Sequence, residues 1–579
     1  MRWARRTVAV RLLAAAVDAG WDPSPADRAF LRALGSAIGR RDAPRVAVLV
    51  AEGSGPDSLT SVLRNASPHA RVSRFEVSGG WSRVHVVLAA NGPFDVIVDA
   101  REHGHGRGNL FRRTFLHLRH GGRYVVRDCT ADTGELEEQG EETITSLVAR
   151  LRKTRGKTAE RAGWPERDER ALGGCIGRVA HGPTHLAVRK VGQSYAKLTE
   201  SETNRLLTLR GPGTGTSLSR GERVTWRSRC VLRESPSRRN GGWPDHFQAP
   251  ALFLREYADV VCVPGQVVLK DRLLLPDTYR HIHRARLGNR FTRELGARFA
   301  VPDLGVRPQH ELAGSYFHLD NEFRGHFGHA LTDQLSRVWA WPEAKRAHPD
   351  LKALMAVNSD RHELASFEIA WLAAAGIADE DVVLATGPVR VERLLGATPM
   401  LGNPAYVHPR IEEVWGQVGR RLAEAAPVRS YPERIFCSRR EQTGPGAFYG
   451  MRRACRNSAE LEAWFAARGF TIVHPEEFSL PEQAQMFRSA KVVAGYAGSA
   501  MFNLLFCDTP THVVLVSSEA YVARNEYLIA SVLGHHLDVA WCRPEVGEDD
   551  LGGTLARNSP FVFDFGREGR FLAGVVDGC

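Results

Sequence analysis

The spacing of apolar residues changes along the chain, and it predicts which segments form helices and which form strands. In residues 1–40, apolar positions recur every three or four residues through Val8–Val17 and Phe30–Ile38, which predicts two helices. Beyond them, a helix is predicted at Asn109–Leu118, and short apolar runs predict strands at Val46–Val50, Val72–Val77, Val84–Leu88, Phe94–Asp99 and Tyr124–Asp128. Strands that alternate with helices indicate an open α/β sheet.

The region after residue 433 alternates most regularly. The predicted strands and helices, in order, are Arg434–Cys437, helix Ser458–Arg468, Phe470–His474, helix Pro481–Ser489, Lys491–Ala494, helix Ser499–Phe506 and His512–Val516. The connections are short, as is typical of parallel βαβ units. Earlier, Asp259–Leu275 predicts a β-meander, and helices are expected at 326–341, 361–375 and 409–425.

A chain of 579 residues is too long for one hydrophobic core, so several domains are expected. Changes in residue texture predict three: an α/β domain at 1–150, a small β-rich connector at 151–250 and a second α/β domain at 251–579.

Charge is distributed unevenly along the chain. The formal net charge is +11, yet Leu151–Asn240 alone holds 20 Lys and Arg against 8 Asp and Glu, a net of +12. This segment could form a basic face for an anionic partner, or an Arg-rich solvated linker. We favour the linker, because the segment has no nucleic-acid motif and few aromatic residues to stack on bases. A nucleic-acid partner is therefore not expected.

Cysteine usage and hydropathy bear on the compartment. The nine cysteines include no Cys-x-x-Cys pair, which indicates a reducing environment. The N-terminus resembles a signal peptide, but Arg11 and Asp18 interrupt it, and an amphipathic helix is the better interpretation. No run of eighteen apolar residues predicts a transmembrane helix. We expect a cytoplasmic protein; peripheral contact with the inner face of the membrane and the oligomeric state stay open.

A glycine-containing loop follows the predicted strand that ends near residue 496. Glycines in such a loop let the backbone approach a ligand, and the helix that begins at Gly498–Ser499 offers unpaired N–H groups to a phosphate. Asn503, one turn later, could add a hydrogen bond. The same residues could equally serve only as helix caps.

A second candidate lies in the helix predicted at 326–341. His329, Asp333 and Arg337 have the spacing i, i+4, i+8, which places them along one stripe of an α-helix. A group transferase needs a base for an acceptor hydroxyl and a cation for a departing phosphate. A surface charge ladder explains the spacing equally well.

Four ordered motifs carry a resemblance to a known family. His329-x-x-x-Asp333-x-x-x-Arg337, Ser438-Arg439-Arg440, Arg453-x-x-x-Asn457 and the segment from Phe470 to Asn503 resemble glycosyltransferase family 61, over about 252–545. The resemblance implies a GT-B-like fold and an inverting transfer from a nucleotide-activated sugar, with no metal required. It thus implies a hexosyl- or pentosyltransferase with a UDP-sugar as the favoured donor and a glycan or polysaccharide as acceptor.

The same resemblance implies roles for individual residues. Arg439, Arg453 and Asn503 would hold the nucleotide diphosphate, and His329 and Asp333 would lie near the acceptor and the reacting carbon. Three further residues are expected either to touch the donor or to brace the site: Arg337, Glu477 and Gln483. Many family members have His-Gly-Ala-Gly where this chain has Ala497-Gly498-Ser499-Ala500. The departure leaves the catalytic base open, and Tyr496 is a candidate replacement for the missing imidazole. The run Asp379–Asp381 is interpreted as a solvated loop and not as a metal site.

The N-terminal part resembles a class I S-adenosylmethionine-dependent methyltransferase. The matching residues are Asp99, His103, Gly121, Gly122 and Asp128. The resemblance implies a Rossmann-like domain in which Gly53 and Gly55 approach the cofactor, Glu76 binds its ribose and Asp99 completes the site. The glycine motif is incomplete, so a degenerate domain that docks a partner is the alternative.

The leading hypothesis is therefore a glycosyltransferase of bacterial type with an appended methyltransferase-like domain. Two alternatives are a glycan O-methyltransferase that uses S-adenosylmethionine and a non-catalytic glycan-binding protein.

Overall fold

The chain forms two compact units. The computed structural model describes residues 2–39, 42–55, 58–77, 80–101, 105–129, 141–156, 163–237, 242–357, 362–440, 453–546 and 556–578. The first unit comprises Met1–Thr216 and Val267–Val306, and the second comprises Ser217–Gln266 and Arg307–Cys579. These limits differ from the predicted ones: the connector at 151–250 is divided between the units, and Val267–Val306 belongs to the first.

The described strands and helices have the following bounds. Up to residue 249 the strands are β1 Arg45–Ala51, β2 Arg71–Val77, β3 Phe94–Asp99, β4 Leu118–Val126, β5 Ile176–His181, β6 Leu186–Lys190, β7 Tyr195–Lys197, β8 Gly215–Arg220, β9 Val224–Arg227, β10 Val231–Glu234 and β11 His246–Ala249. The later strands are β12 Phe253–Val263, β13 Val267–Lys270, β14 Leu273–Leu274, β15 Thr292–Gly296, β16 Phe299–Pro302, β17 His310–His318, β18 Lys352–Ala356, β19 Val382–Ala385, β20 Val389–Ala397, β21 Leu401–Gly402, β22 Tyr406–Val407, β23 Arg434–Cys437, β24 Thr471–Val473, β25 Val492–Tyr496, β26 His512–Ser518 and β27 His536–Cys542. The α-helices are Arg2–Asp18, Pro25–Ile38, Ser58–Ala66, Trp81–Asn91, Arg107–Thr114, Ile144–Lys153, Trp164–Gly174, Glu200–Arg210, Ser366–Ala374, Ile411–Glu424, Ser458–Ala466, Leu480–Ser489, Arg524–Leu533 and Glu568–Val576, with a composite helix at 327–347.

The main sheet of the first unit has the strand order β2-β1-β3-β4-β6-β5. Strands β1 to β4 are parallel, while β6 is antiparallel to both β4 and β5. The chain moves outward from β1 to β2 and returns to β3 on the other side of β1, so the order reverses at β1 as in a doubly wound sheet. The predicted Rossmann-like class is confirmed.

One predicted strand of this unit is wrong. Val84–Leu88 lies inside the helix Trp81–Asn91. Strands β2 and β3 run in the same direction, and parallel strands need a crossover, which this helix supplies. The connection required by the sheet thus overrides the β-propensity of the valines.

The second unit contains two larger sheets, besides the two-stranded pairs β9-β11 and β21-β22. One is parallel throughout, with the order β10-β27-β26-β25-β23-β24. Its edge strand β10 comes from the segment that was predicted to be a connector. The other runs β12-β20-β17-β18-β19, with only β12 antiparallel to its neighbour. The predicted α/β class is confirmed here too, whereas the GT-B comparison stays a prediction.

One hydrophobic core joins these two sheets. It includes strand residues from both, such as Phe317 and Val493, and the helix Ile411–Glu424 between them. That helix buries Ile411, Trp415, Val418 and Leu422, whose spacing forms one apolar stripe. Each such side chain contributes about 1.5–3 kcal/mol when it is fully buried. The packing fixes the helices around the ends of the parallel strands.

The basic segment at 151–240 is divided between the two units. Several of its arginines pair with carboxylates: Arg210 with Asp271 at 2.9 Å, and Arg233 with Asp538 at 2.6 Å. In the parts of the chain listed above, no helix has both the length and the apolar character needed to cross a bilayer.

Candidate functional site

The parallel sheet of the second unit creates a crevice at the carboxyl ends of β23 and β25. After β23 the chain forms β24 on one side, and it then forms β25 on the other side, so the strand order reverses at this point. Ligands of open α/β sheets bind in such a crevice, beyond the carboxyl ends of the strands. Arg439 follows β23 here, and Gly498 follows β25. The fold therefore brings together two residues that the sequence separates by almost sixty positions.

Arg439 lies directly against the glycine loop. One of its guanidinium nitrogens donates a hydrogen bond to the carbonyl of Ala497. A Cβ added to Gly498 would lie 2.5 Å from Arg439 Nη2, and the φ of Gly498 is +152°, a value that side chains disfavour. Glycine at this position therefore lets the Arg439 guanidinium lie against the loop and avoids a strained backbone. Burial, together with the nearby charge of Arg453, lowers the pKa of Arg439 to about 10, so the guanidinium stays charged at neutral pH.

Arg453 approaches the same loop from a different segment. It adopts a left-handed backbone with φ +57°, which is strained for a non-glycine residue and is often retained at functional sites. Its guanidinium stacks 4.1 Å from the centre of the Tyr521 ring, and Nη1 donates to the carbonyl of Arg557 at 3.3 Å. Arg439 and Arg453 thus make the end of the glycine loop strongly positive.

Tyr496, a candidate replacement for the family's missing histidine, contributes its ring and not its hydroxyl. The side chain is buried and packs against Phe436 with ring centroids 5.3 Å apart. The Arg439 guanidinium lies 5.7 Å from the ring centre. Burial raises the pKa of the Tyr496 phenol well above its usual range. Tyr496 therefore supports Arg439 from within the core.

The helix predicted at 326–341 is present but irregular. It begins as an α-turn at Phe327–His329, widens to a π-helix at Ala330–Gln334, tightens to a 3-10 helix at Leu335–Ala340 and ends as an α-helix at Trp341–Ala347. Such changes of pitch inside a helix often occur at functional sites. They also mean that the regular i, i+4, i+8 stripe does not hold along the whole segment.

His329 and Asp333 remain together in the widened part of the helix. His329 Nδ1 lies 2.9 Å from Asp333 Oδ2, and Asn321 Nδ2 donates to the same oxygen at 3.4 Å. The imidazole stacks on Phe323 with ring centroids 4.4 Å apart, and it lies 4.7 Å from the ring of His326. A carboxylate at Nδ1 fixes the orientation and tautomer of an imidazole, and Nε2 is then the nitrogen that can accept a proton.

The two candidate segments are in direct contact. A Cβ added to Gly328 would lie 2.9 Å from Ser499 Cβ and 3.0 Å from the Phe502 ring. Gly328 therefore allows the first turn of this helix, which contains His329, to pack on the turn that begins at Ser499. The structure brings His329, Asp333, Arg439, Arg453 and the Gly498 loop into one region of the second unit.

The remaining predicted residues of this region are buried or paired with other side chains. Arg337, in the 3-10 part of the helix, is 1% exposed. Asn503 is completely buried, and its amide donates to Gln483 Oε1 at 2.8 Å and to the carbonyl of Ala500 at 3.0 Å. Glu477 lies at the surface, paired with Arg440 at 2.7 Å. In this structure Asn503 and Gln483 stabilise the turn after Ser499.

Sequence analysis missed Glu526. It lies in the first turn of the helix Arg524–Leu533 and has no exposed surface. The backbone N–H of Gly498 faces its carboxyl group, and Arg453 and Arg439 lie close to it. Burial outweighs these neighbours and raises the pKa of Glu526 to about 7. No motif marked it, since a lone Glu near a helix start is ordinary and only the tertiary fold brings it under the glycine loop.

The acidic run Asp379–Asp381 forms one exposed 3-10 turn. Lys345 Nζ lies 3.0 Å from Asp381 Oδ2, so this carboxylate is paired with a lysine. No cluster of three or more His, Cys, Asp or Glu side chains suited to a metal occurs among the described residues.

In the first unit, an arginine contacts the loop and the carboxylate that were expected to bind the cofactor. Glu76, at the end of β2, pairs with Arg74 at 2.8 Å, and this hydrogen bond and the Gly53 N–H lower the pKa of Glu76. Arg74 also donates to the carbonyls of Ser54 and Gly55, the latter at 3.0 Å. The Gly53–Gly55 loop has open space around its α-carbons, yet the carboxylate expected to bind a ribose is already engaged.

Asp99, at the end of β3, is engaged in the same way. Its buried carboxylate accepts two hydrogen bonds from Arg101, from Nε at 3.0 Å and from Nη2 at 2.9 Å. His103 lies outside the described residues. Glu76 and Asp99 thus both lie at the carboxyl ends of their strands, and each carboxylate is paired with a neighbouring arginine.

Comparison with known proteins agrees with the motifs of the second unit. Residues 327–514 match the Glycosyltransferase 61 family. The matched glycosyltransferase 61 region contains His329, Asp333, Arg439, Arg453 and Gly498, whereas Glu526 lies beyond it. The predicted resemblance is confirmed over this range, and it supports a glycosyltransferase.

A methyltransferase is among the solved structures to which the chain is similar. It is the MycE methyltransferase from the mycinamycin biosynthetic pathway, in complex with Mg, SAH and mycinamycin VI; the alignment has 17% identity, a TM-score of 0.21 and covers 26% of this chain. The chain spans about half of that protein, 46% of its length. No curated protein matched the sequence.

Proposed function

We propose that the second unit is an inverting glycosyltransferase that moves a sugar from a nucleotide-sugar donor to a glycan or polysaccharide acceptor. The observation that carries the proposal is the convergence of Arg439 and Arg453 on the Gly498 loop, at the point where the parallel sheet reverses its strand order. Two guanidinium groups and the N–H groups at the start of a turn suit the charge and shape of a diphosphate. The glycosyltransferase 61 match supports the same reaction class.

In the proposed reaction, an acceptor hydroxyl attacks the anomeric carbon as the bond from that carbon to the diphosphate oxygen breaks. His329 takes the hydroxyl proton at Nε2, and Asp333 stabilises the imidazolium that forms. Arg439, Arg453 and the backbone of Gly498 and Ser499 stabilise the charge that develops on the diphosphate. Attack opposite the leaving group inverts the anomeric centre. A UDP-sugar is the favoured donor, and the cysteine pattern supports a cytoplasmic location.

A binding experiment tests the placement of the donor site. Thermal shift and calorimetry with UDP-, GDP-, dTDP- and CMP-sugars are expected to identify one donor class, whose binding Arg439→Ala and Arg453→Ala abolish or weaken. Arg456→Ala is the matched control, because Arg456 lies three residues from Arg453 but pairs at the surface with Glu545. Unchanged donor binding by both Arg439→Ala and Arg453→Ala would show that the donor site lies elsewhere.

In this conformation, the two carboxylates of the first unit that were expected near S-adenosylmethionine are paired with arginines. A ribose would have to displace Arg74 from Glu76, and Asp99 is held by Arg101. Methyl transfer is therefore not proposed as a second function, and S-adenosylmethionine binding stays a prediction. Titration of the full chain with S-adenosylmethionine tests it; tight binding would favour the methyltransferase alternative.

A further inference from the structure

Glu526 has an unusual environment for a glutamate. Its side chain has no exposed surface, and among the residues of known placement no hydrogen bond of good geometry reaches either carboxylate oxygen. Backbone N–H groups of Gly498 and of Glu526 itself face the carboxyl without closing such a bond. A buried carboxylate without firm partners costs free energy unless nearby charges or a proton compensate it.

The compensating charges belong to the proposed diphosphate site. Arg439, after β23, and Arg453 are the cations that act on Glu526, and Tyr521, after β26, is the other titratable group close to it. Burial raises the pKa of the Tyr521 phenol, so this group stays neutral at physiological pH. Arg557 is a further cation that acts on Tyr521, whereas the two guanidinium groups of Arg439 and Arg453 act on the Glu526 carboxyl itself.

A bound diphosphate would change this balance. It would place additional negative charge beside the same two arginines, and like charges at short range disfavour the ionised form of a carboxyl. Glu526 is buried, and these two arginines are the cations that act on it. Protonation of its carboxyl removes the repulsion from the diphosphate, so the pocket can bind the ligand at a low cost in free energy.

We propose that Glu526 is a positioning residue of this pocket: its carboxylate balances Arg439 and Arg453 before a nucleoside diphosphate binds, and it takes up one proton as the ligand replaces it. This inference rests on the proposed function and extends it to a residue beyond the matched family region. The ionised carboxylate of Glu526 attracts the two guanidinium groups and holds them in place. When Glu526 is protonated, this attraction is lost and the guanidinium groups interact with the ligand instead.

The size of the effect follows from the burial-raised pKa of about 7. At pH 7.5 roughly three quarters of Glu526 is ionised in the free protein, so binding takes up about 0.75 proton if the bound pKa lies well above 8. By the same linkage, affinity falls about fivefold between pH 7 and pH 8.

Calorimetry measures this proton directly. The full chain is titrated with UDP, GDP and dTDP at pH 7.5 in two buffers that differ in ionisation enthalpy, and the tightest ligand is followed from pH 7 to pH 8. We expect the uptake and the fivefold pH dependence in the wild-type protein and in Glu568→Gln, and their loss in Glu526→Gln. Glu568 is the matched control, because it is also buried with a raised pKa but has Arg567 as its charged neighbour.

The outcomes separate this inference from the proposed function. If a nucleotide binds, and Arg439→Ala prevents it, but the wild-type protein takes up no proton, Glu526 does not have the proposed role. Equal uptake by wild type and Glu526→Gln leads to the same conclusion. If none of the three nucleotides binds, or binding survives Arg439→Ala, the proposed site itself is wrong and the inference falls with it. The wild-type measurements decide the question even if Glu526→Gln does not fold.

Discussion

Gly498→Ala is the substitution for which the structure gives the sharpest expectation. An added Cβ would lie 2.5 Å from Arg439 Nη2, so the guanidinium must leave its place against the loop. Because the backbone at φ +152° also suits glycine, the variant should lose about 1–3 kcal/mol of stability through strain alone. Loss of one charge-assisted hydrogen bond to a diphosphate costs about 1.5–3 kcal/mol, which weakens Kd about 10- to 150-fold.

Two measurements on two variants test this reasoning. Calorimetry with the best-binding nucleoside diphosphate gives Kd, and urea unfolding gives the free energy of unfolding. Gly469→Ala is the control, because Gly469 also has a positive φ of +78° but an added Cβ there meets nothing within 4 Å. We expect this control to lose stability and to keep its affinity. Wild-type affinity in Gly498→Ala, or an equal loss of affinity in Gly469→Ala, would refute the steric argument.

Three further predictions follow from other parts of the molecule. His329→Ala should lower kcat about 10²- to 10⁴-fold with little change in donor Kd, and Asp333→Asn should lower kcat less. Steady-state kinetics with the identified donor measures kcat of both variants. An undiminished kcat in His329→Ala would exclude His329 as the base. Arg324→Ala should lower the free energy of unfolding by about 3–5 kcal/mol, because it breaks the buried ion pair with Glu368. Arg390→Ala breaks an exposed pair with Asp259 and should lower the free energy of unfolding by less than about 1 kcal/mol. Similar urea midpoints for the two variants would contradict this difference. Burial lowers the pKa of His85 to about 3, so the folded protein keeps this ring neutral while the unfolded chain binds a proton below its ordinary pKa of 6.5. His85 by itself should therefore lower the stability by up to about 1.4 kcal/mol per pH unit as pH drops below 6.5, and in urea unfolding the stability of His85→Gln should depend less steeply on pH.

Local sequence determined much of the secondary structure in the second unit. The prediction for Arg434–Cys437 coincides with β23. The helix that follows begins at the predicted residue and ends two residues earlier, and the next strand is shorter than predicted by one residue at each end. Short apolar runs bounded by glycine and capping residues carry this information without reference to distant contacts. The run at Val84–Leu88 shows the limit, since its residues suit a strand but the parallel sheet requires a crossover there.

The candidate site likewise has features that the sequence predicts and features that it does not. Sequence motifs alone selected His329, Asp333, Arg439, Arg453 and Gly498, because each is a chemically distinctive residue in an ordered pattern. Spacing could not reveal that the helix changes pitch between His329 and Arg337, or that Arg337 is buried.

Only the tertiary structure decided which side chains share an environment. It placed Asn503 inside the core, it paired Glu76 and Asp99 with arginines two residues away, and it brought Glu526 beneath the Gly498 loop. The physical reason is that burial and charge pairing depend on every element packed around a residue, whereas a sequence motif specifies only its neighbours along the chain.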